Sequence, residues 1–370
     1  MTILFLCGSL EPGKDGVGDY TRRLAGELIR QGHQASIISL NDKHCDTQIK
    51  YTQESDGNSI EVLRLPSIVL SKERFYQASL FIENQNPEWL SLQYVPYSFH
   101  NKGLPIGLSN SLTNIGKGRK WHIMFHELWV GMDSESSVKL KTIGLIQKQL
   151  IKNINRQLKP KTIHTQTTLY NTQLHSLGIN SKLLPLFGNI PFWKQCEQKN
   201  PLDKTVTFVI FGSIHWGAPI NDFINELLLF SQANAFDIKF MLIGRCGKEQ
   251  NNWISVLKTK NIAFSILGEQ PSTEISKVLS EATWGISTTP MLLAEKSGTV
   301  AAMLEHELSV IIVARPWIVN GFSEDFSNNN ILEYLSGNLS QILDNKTQNK
   351  KYNTLAETTN TLINSLLTTN

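Results

Sequence analysis

Cysteine is scarce in this 370-residue sequence: Cys7, Cys45, Cys196 and Cys246 are the only four, far apart and without a C-x-x-C pair. That spacing indicates neither a zinc site nor a disulfide framework and fits a reducing, cytoplasmic setting. No window approaches the roughly 20 apolar residues of a membrane span. The apolar run Ile3 to Cys7 is too short for a signal-peptide core and has no basic segment before it. A protein of this kind meets a membrane, if at all, from the side. Excess charge is also missing, since 35 Lys and Arg against 32 Asp and Glu leave only +3. This argues against a nucleic-acid surface, while an acidic small molecule or an anionic membrane surface stays open. The sequence shows no short fixed repeat, no paired carboxylates and no cluster of metal-ligating residues, so neither a metal nor another cofactor is expected.

What is present is alternation. With 41% hydrophobic and 18% charged residues the composition is globular, and the length suffices for two domains with separate cores. Short apolar runs alternate with amphipathic stretches, the pattern of parallel strands joined by crossover helices. The pattern predicts strands at Thr2–Cys7, Ala35–Leu40, Ile60–Leu65, Trp89–Gln93, Trp121–Phe125, Thr162–Thr165 and Lys182–Leu184. The clearest helices between them are Gly18–Gln31, stopped by Gly32, and Val138–Asn155.

The alternation then restarts, with strands at Val206–Phe211, Ile238–Ile243, Ala263–Leu267, Trp284–Ser287 and Val310–Val313. Two doubly wound α/β domains follow, spanning 1–188 and 189–350, and residues 351–370 hold a last helix from about Tyr352 that would cross back to the first domain. Proline and glycine in Leu184-Pro185-Leu186-Phe187-Gly188-Asn189 mark the boundary. In facing sheets of this type ligands bind at the carboxyl ends of the strands, in a shared crevice.

Several segments would open there. The loop Asp15-Gly16-Val17-Gly18-Asp19-Tyr20 follows the first strand, and Gly16 and Gly18 would let backbone approach an anion at a helix start. Its spacing is neither G-x-G-x-x-G nor a P-loop. His126 and Glu127 follow the strand Trp121–Phe125 and could bond a sugar hydroxyl; a histidine packed under a loop with Trp129 is the plainer alternative. In the second half Gly212-Ser213, Gly244-Arg245 and Gly268 each follow a strand. Glu295-Lys296-Ser297-Gly298-Thr299 opens a helix with a good N-cap, uncovered amides and an adjacent positive charge, which suits a phosphate; an ordinarily capped surface helix is the alternative.

Together these segments resemble the GT-B glycosyltransferases, and among them the retaining glycosyltransferase family 4. Gly16-Val17-Gly18-Asp19-Tyr20 resembles that family's "GGVG" loop, Gln93-Tyr94-Val95-Pro96-Tyr97 its fourth-strand ending and Phe125-His126-Glu127 its "VHD/VHE" element. Leu184 to Asn189 occupies the place of the "IPNG" linker, and Ala302-Met303-Leu304-Glu305-His306-Glu307-Leu308-Ser309-Val310-Ile311 is similar to a worn "EAMAHGLPVI". The resemblance implies a nucleotide-diphosphate sugar as donor and a sugar, lipid-linked or other hydroxyl acceptor, with retention of configuration. It places Gly16, Gly18, Ser297, Gly298 and Thr299 at the donor, with His126 touching the donor sugar; Gly212, Ser213, Arg245, Gly268, Glu295 and Lys296 are further donor-site candidates. Asp19 and Glu127 would orient or deprotonate the acceptor, and Tyr94 and Tyr97 would stack on it.

Departures from the family pattern concentrate at the donor. Its Arg and Lys for the diphosphate fall on Ser213 and Ala218, its Glu-x7-Glu pair on Ala294 and Ala302, and the glycine of "HGLP" on Glu307. Lys296 and Arg245 are the candidates to replace the missing charges, and Glu295 or Glu305 to reach the ribose. A nucleotide-sugar epimerase on the same fold and a GT-B protein that binds without turnover are the alternatives. Arg22, Arg23, Lys72 and Arg74 form a basic set that would suit peripheral membrane contact if it shared one exposed face.

Overall fold

The computed structural model describes residues 1–193, 204–322, 329–344 and 354–368. Cys196, the polar pair Ser327-Asn328 and Tyr352, the expected start of the last helix, lie outside these residues. The chain divides into two compact units: unit 1 comprises Met1–Pro185, Ile318–Phe322 and Leu355–Asn370, and unit 2 comprises Leu186–Trp317 and Ser323–Thr354.

Unit 1 is built on strands β1 (Thr2–Cys7), β2 (Gln34–Asp42), β3 (Ile49–Ser55), β4 (Asn58–Pro66), β5 (Trp89–Tyr94), β6 (Lys120–Phe125), β7 (Thr162–Thr165) and β8 (Lys182–Leu183). They lie in the order β3-β4-β2-β1-β5-β6-β7-β8, and every pair is parallel except β3 with β4. The helices are α1 (Gly16–Arg30), α2 (Ser71–Gln85), α3 (Pro96–Phe99), α4 (Leu108–Ile115), α5 (Val138–Leu158) and α6 (Thr168–Ser176). The central strands are apolar on both faces because helices cover both, and Ile3 to Cys7 are fully buried.

Strand β3 escapes the periodicity of the sequence because its edge position leaves Lys50, Tyr51 and Thr52 in solvent. Its local signal is the dipeptide Asp56-Gly57, both at positive φ (48° and 78°), which closes a two-residue hairpin into β4. Helix α1 ends as the sequence predicts: Gly32 takes φ 83°, and the His33 amide bonds to the Leu28 carbonyl at 3.0 Å. The last helix of the chain, which spans Leu355–Leu367, belongs to unit 1, where Thr358 Oγ1 donates to the Pro185 carbonyl at 3.2 Å. Unit 1 also takes back Ile318–Phe322, bridged at Val319 to Asp133. No periodic signal announces that second return, because it is made by a few extended residues only.

Unit 2 holds β9 (Thr205–Phe211), β10 (Asp237–Ile243), β11 (Ala263–Gly268), β12 (Trp284–Ser287), β13 (Val310–Ile312) and β14 (Ile331–Glu333). All pairs are parallel, in the order β11-β10-β9-β12-β13-β14, which is the doubly wound dinucleotide-fold order with its switch point between β9 and β12. Helices α7 (Ile220–Asn234), α8 (Gln250–Thr259), α9 (Ser272–Glu281), α10 (Gly298–Glu305) and α11 (Leu339–Asp344) complete it, the Leu355–Leu367 helix being α12. One apolar cluster packs Phe208, Phe240, Trp253 and Trp284, and a second packs Val209, Ile243, Met303 and Val310, so alternate residues of β9 serve opposite faces. Among the described residues no helix is long and apolar enough to cross a membrane.

Asp42, at the end of β2, ties three parts of unit 1 together. Its fully buried carboxylate accepts from Ser9 Oγ (3.0 Å), the Leu10 amide (3.1 Å), Ser39 Oγ (3.0 Å) and the His44 amide (2.9 Å). Arg64 of β4 adds two bonds, at 2.8 and 3.2 Å, and reaches Glu11 at 2.7 Å. Burial alone would raise the Asp42 pKa, but the bonds from Arg64 and the His44 amide outweigh it and hold the carboxyl below its ordinary value. Removing it would leave the buried Arg64 guanidinium with only the part-exposed Glu11 and strip four further donors of their acceptor, so Asp42→Ala is expected to cost about 3 kcal/mol or more. Urea unfolding of the two proteins measures this, and a loss under about 1 kcal/mol would contradict it.

Candidate functional site

The opening loop differs from its expected form by two residues. Asp15 takes an extended backbone and its carboxylate accepts the Gly18 amide at 2.8 Å, so α1 starts at Gly16 rather than Gly18. The helix amino terminus therefore already holds an anion of its own, where uncovered amides are expected from the sequence. The two glycines also separate. A Cβ on Gly18 would lie 2.6 Å from the Ser9 carbonyl oxygen, so this residue is glycine because helix and loop backbones touch there. A Cβ on Gly16 would meet nothing within 4 Å.

Asp19 does not stand ready as a base: its Oδ1 accepts the Gly13 amide at 3.1 Å and pairs with Arg22 at 2.8 Å. Arg22 is itself buried, bonding Gln53 and the Leu10 carbonyl, and Arg23 pairs with Asp56 at 3.3 Å. The basic set Arg22, Arg23, Lys72 and Arg74 consequently shares no exposed face, since Arg22 is buried.

His126 sits at the end of β6, 5% exposed, with its amide bonded to the Tyr94 carbonyl at 3.1 Å. The Tyr20 ring meets it edge-on at 4.9 Å, so the opening helix and His126 lie together as expected from the sequence. Glu127 beside it is half-buried. Behind His126 runs a directed chain of hydrogen bonds through the sheet. His126 Nε2 donates to Gln93 Oε1 (2.8 Å), and Gln93 Nε2 donates to Ser91 Oγ (2.8 Å). Ser91 donates to His122 Nδ1 (2.7 Å), and His122 Nε2 donates to His164 Nδ1 (3.0 Å).

Every member of that chain is buried, and His126, Gln93, Ser91 and His122 each donate one proton to the next member. Gln93 thus fixes the tautomer and ring plane of His126. The sequence carries a signal for part of it: Ser91, Gln93 and His122 are polar interruptions of largely apolar strands, whereas His164 lies in the mostly polar β7, and β5 to β7 are neighbours.

Tyr94 cannot stack on an acceptor. Its side chain is fully buried, edge-on to Phe125 at 5.4 Å and stacked on Phe99 at 6.2 Å, because it belongs to an inner strand covered on both faces. Burial pushes its phenol pKa up. Tyr97 is half-buried against Gly103 and keeps part of its ring in solvent.

In unit 2 the strand ends carry little side chain. The Gly212 amide donates to the Ile243 carbonyl (2.9 Å) and the Gly244 amide to the Gly268 carbonyl (2.7 Å), which laces the ends of β9, β10 and β11 together. Gly212 has φ 81°, and a Cβ there would lie 2.7 Å from Thr299 Cγ2, so glycine is what brings this loop onto the start of α10. Ser297 caps α10 by accepting the Val300 amide at 3.4 Å and lies 3.1 Å from Thr299 Oγ1. Among the described residues the Gly298 and Thr299 amides have no acceptor. Glu295 and Lys296 are half-buried in the turn just before.

The other expected donor residues are placed as follows. Ser213 Oγ bonds the Arg245 carbonyl at 3.5 Å, and the Arg245 guanidinium pairs in solvent with Glu269 at 2.9 Å, so it brings no net charge by itself. Ala294 and Ala302 are core residues, which leaves no carboxylate where the family has its Glu pair. Glu305 holds the Gly188 amide at 2.9 Å instead of facing a ribose. Unforeseen from the sequence is Arg315, just after β13, whose guanidinium lies 5.8 Å from the exposed Trp216 ring. Among the described residues no group of three or more His, Cys, Asp or Glu is placed to hold a metal ion.

Solved structures of similar fold cover nearly the whole chain. The fold is GT-B. The lipopolysaccharide outer core galactosyltransferase WaaB matches at 12% identity with TM-score 0.58, covering 100% of this chain and 99% of that one. The pneumococcal O-GlcNAc transferase GtfA in complex with UDP and GlcNAc matches at 9%, TM-score 0.56, covering 100% and 99%. A putative UDP-N-acetylglucosamine 2-epimerase from Listeria monocytogenes matches at 8%, TM-score 0.56, covering 99% and 95%. No protein-family model and no curated protein matches the sequence.

Two expectations follow from these environments. Glu307, where the family resembled has glycine, takes φ 60° just past α10, so Glu307→Gly should stabilise the protein by about 1 kcal/mol, read as a raised thermal midpoint. Burial, with the positive charge of Lys182, lowers the His164 pKa to about 4, and burial lowers His122 well below its ordinary value. The unfolded chain then binds more protons between about pH 6.5 and 4, so stability is full above that window and falls through it by up to about 1.4 kcal/mol per pH unit for each histidine. His164→Gln should flatten the urea midpoint between pH 6.5 and 5 relative to wild type.

Proposed function

We propose that the chain is a glycosyltransferase that moves a sugar from a nucleotide-diphosphate donor held by unit 2 to a hydroxyl acceptor held by unit 1, with retention of configuration. The observation that carries this is the start of α10, where among the described residues the Gly298 and Thr299 amides have no acceptor and Gly212 lies against Thr299. It lies at the carboxyl side of a doubly wound sheet, where such a helix terminus favours a diphosphate. Solved proteins of this fold are supportive, since one is crystallised with UDP and GlcNAc and another is a galactosyltransferase.

In a retaining transfer of this family the departing diphosphate takes the acceptor proton, so the protein's task is to stabilise a developing anion. The α10 amides, Lys296 and Thr299 Oγ1 would do this. His126 would meet the donor sugar, and a contact through its Nε2 would displace Gln93. Asp19 holds the loop in shape, and Glu127 remains to orient the acceptor.

A 2-epimerase is the second reading, because epimerases share the fold. Thermal denaturation with a panel of nucleoside diphosphates tests the donor site: the cognate one, at a hundred times its Kd, should stabilise the protein by about 2.7 kcal/mol. A Cβ at Gly298 would meet only Asn189 Nδ2, at 3.8 Å, in ordinary contact, so Gly298→Val should fold yet bind at least tenfold more weakly. Unchanged midpoints with every diphosphate, or wild-type binding by Gly298→Val, would overturn the assignment. Epimerised donor in the absence of any acceptor would favour the second reading.

A further inference from the structure

One cavity of unit 1 plays no part in the site just described. It has a volume of about 250 Å³ and is walled by the end of β2 (Leu40, Asn41), the first turn of α2 (Ser71, Arg74) and the segment leading into α4 (His100, Ile106). None of its lining residues is acidic.

Arg74 is the unusual group. Its Nε donates to the Val69 carbonyl at 3.0 Å, and its Nη1 donates to the Leu40 carbonyl and to Asn41 Oδ1, the latter at 2.8 Å. All three acceptors are neutral, and among the described residues Nη2 has no acceptor and the guanidinium no carboxylate. Arg22 and Arg64, the buried arginines of the same unit, each hold one. Burial lowers the Arg74 pKa, and no opposing charge offsets it. A half-buried cation fixed by three neutral acceptors is held in place for an anion that the chain itself does not supply.

The surroundings agree. His100 Nδ1 accepts the Lys102 and Leu104 amides at 3.2 and 3.3 Å, which leaves its proton on Nε2 and makes the ring a donor. Ser71 begins a helix whose N-cap, Leu70, offers no side-chain acceptor. Ile106, which lines the cavity, is 79% exposed, and Ile68 and Leu70, chain neighbours of Val69 and Ser71, are 74% and 80% exposed, so large apolar side chains accompany the donors.

We propose that this cavity binds a phosphate-type oxyanion on a ligand with an apolar portion, Arg74 and His100 supplying the donors and Ile68, Leu70 and Ile106 the apolar contact. Under the transferase reading the ligand is a phosphate-bearing acceptor, but the site rests on the cavity and not on that reading. A phospholipid head group and a soluble phosphate ester share this chemistry.

Two arms distinguish them: calorimetric titration with inorganic phosphate, and flotation with phosphatidylcholine vesicles containing or lacking about a third phosphatidic acid. Binding in either arm is expected to fall at least tenfold in Arg74→Gln, since a charge-assisted bond contributes about 1.5–3 kcal/mol. Ser111→Asp, which places a carboxylate in the cavity while leaving the bonds of Arg74 intact, should abolish it. Binding only to the phosphatidic acid vesicles, weakened by Leu70→Ser with Ile106→Ser, identifies a lipid; titration by inorganic phosphate that is indifferent to those two changes identifies a soluble ester. No binding of either probe by the wild type, or unchanged binding in Ser111→Asp, would overturn the proposal. Nucleoside diphosphate binding is read separately and should be unaltered in both cavity variants, so failure of the donor reading leaves this result standing.

Discussion

A carboxylate with no access to water, Asp42, sets the shape of the amino-terminal unit. It satisfies the hydroxyls of Ser9 and Ser39, the amides of Leu10 and His44 and the guanidinium of Arg64, so β2, β4 and the loop after β1 cannot move independently. That loop carries Asp15, whose carboxylate starts α1, and α1 carries Tyr20 onto His126. The position of His126 is therefore inherited, through backbone and side-chain bonds, from an ion pair at the other side of β1.

The same rule, that polar groups inside a doubly covered sheet must find partners there, organises the other side of His126. The chain runs from His126 through Gln93, Ser91 and His122 to His164, each link one directed bond. Burial disfavours the charged forms of His122 and His164, and the chain holds the His126 ring at the strand end. Arg74 is the exception that gives the rule its use. Its carbonyl and amide acceptors fix its geometry without neutralising its charge, which is why its cavity reads as a site while Arg22 and Arg64 read as structure.

Unit 2 departs from the family it resembles without departing from the fold. Its strand ends remain glycine-rich, and among the described residues the Gly298 and Thr299 amides of α10 have no acceptor. What differs is charge: alanines fill the places of the Glu pair, Arg245 is matched by Glu269, and Arg315 reaches Trp216 from β13. Glu307 keeps the backbone path of a glycine at the strain of a left-handed side-chain residue, so backbone geometry is retained where residue identity is not.

The sequence by itself determined the two doubly wound units, most strand positions, the Gly32 stop of α1 and the presence of His126 and Ser297-Gly298-Thr299 at strand or helix ends. Those features follow from local periodicity and from turn and cap chemistry within a few residues, which a single chain segment contains. Tertiary structure alone decided that Asp15 and not a ligand takes the Gly18 amide, that Tyr94 is core, and that Asp19 is bound by Arg22. It alone paired Gln93 with His126 and, among the described residues, left Arg74 without a carboxylate. Each of these depends on which strands and loops become neighbours, and in a parallel sheet with order β2-β1-β5-β6 those neighbours are tens of residues apart in the chain. Burial and partnership are properties of that arrangement, so no reading of adjacent residues contains them.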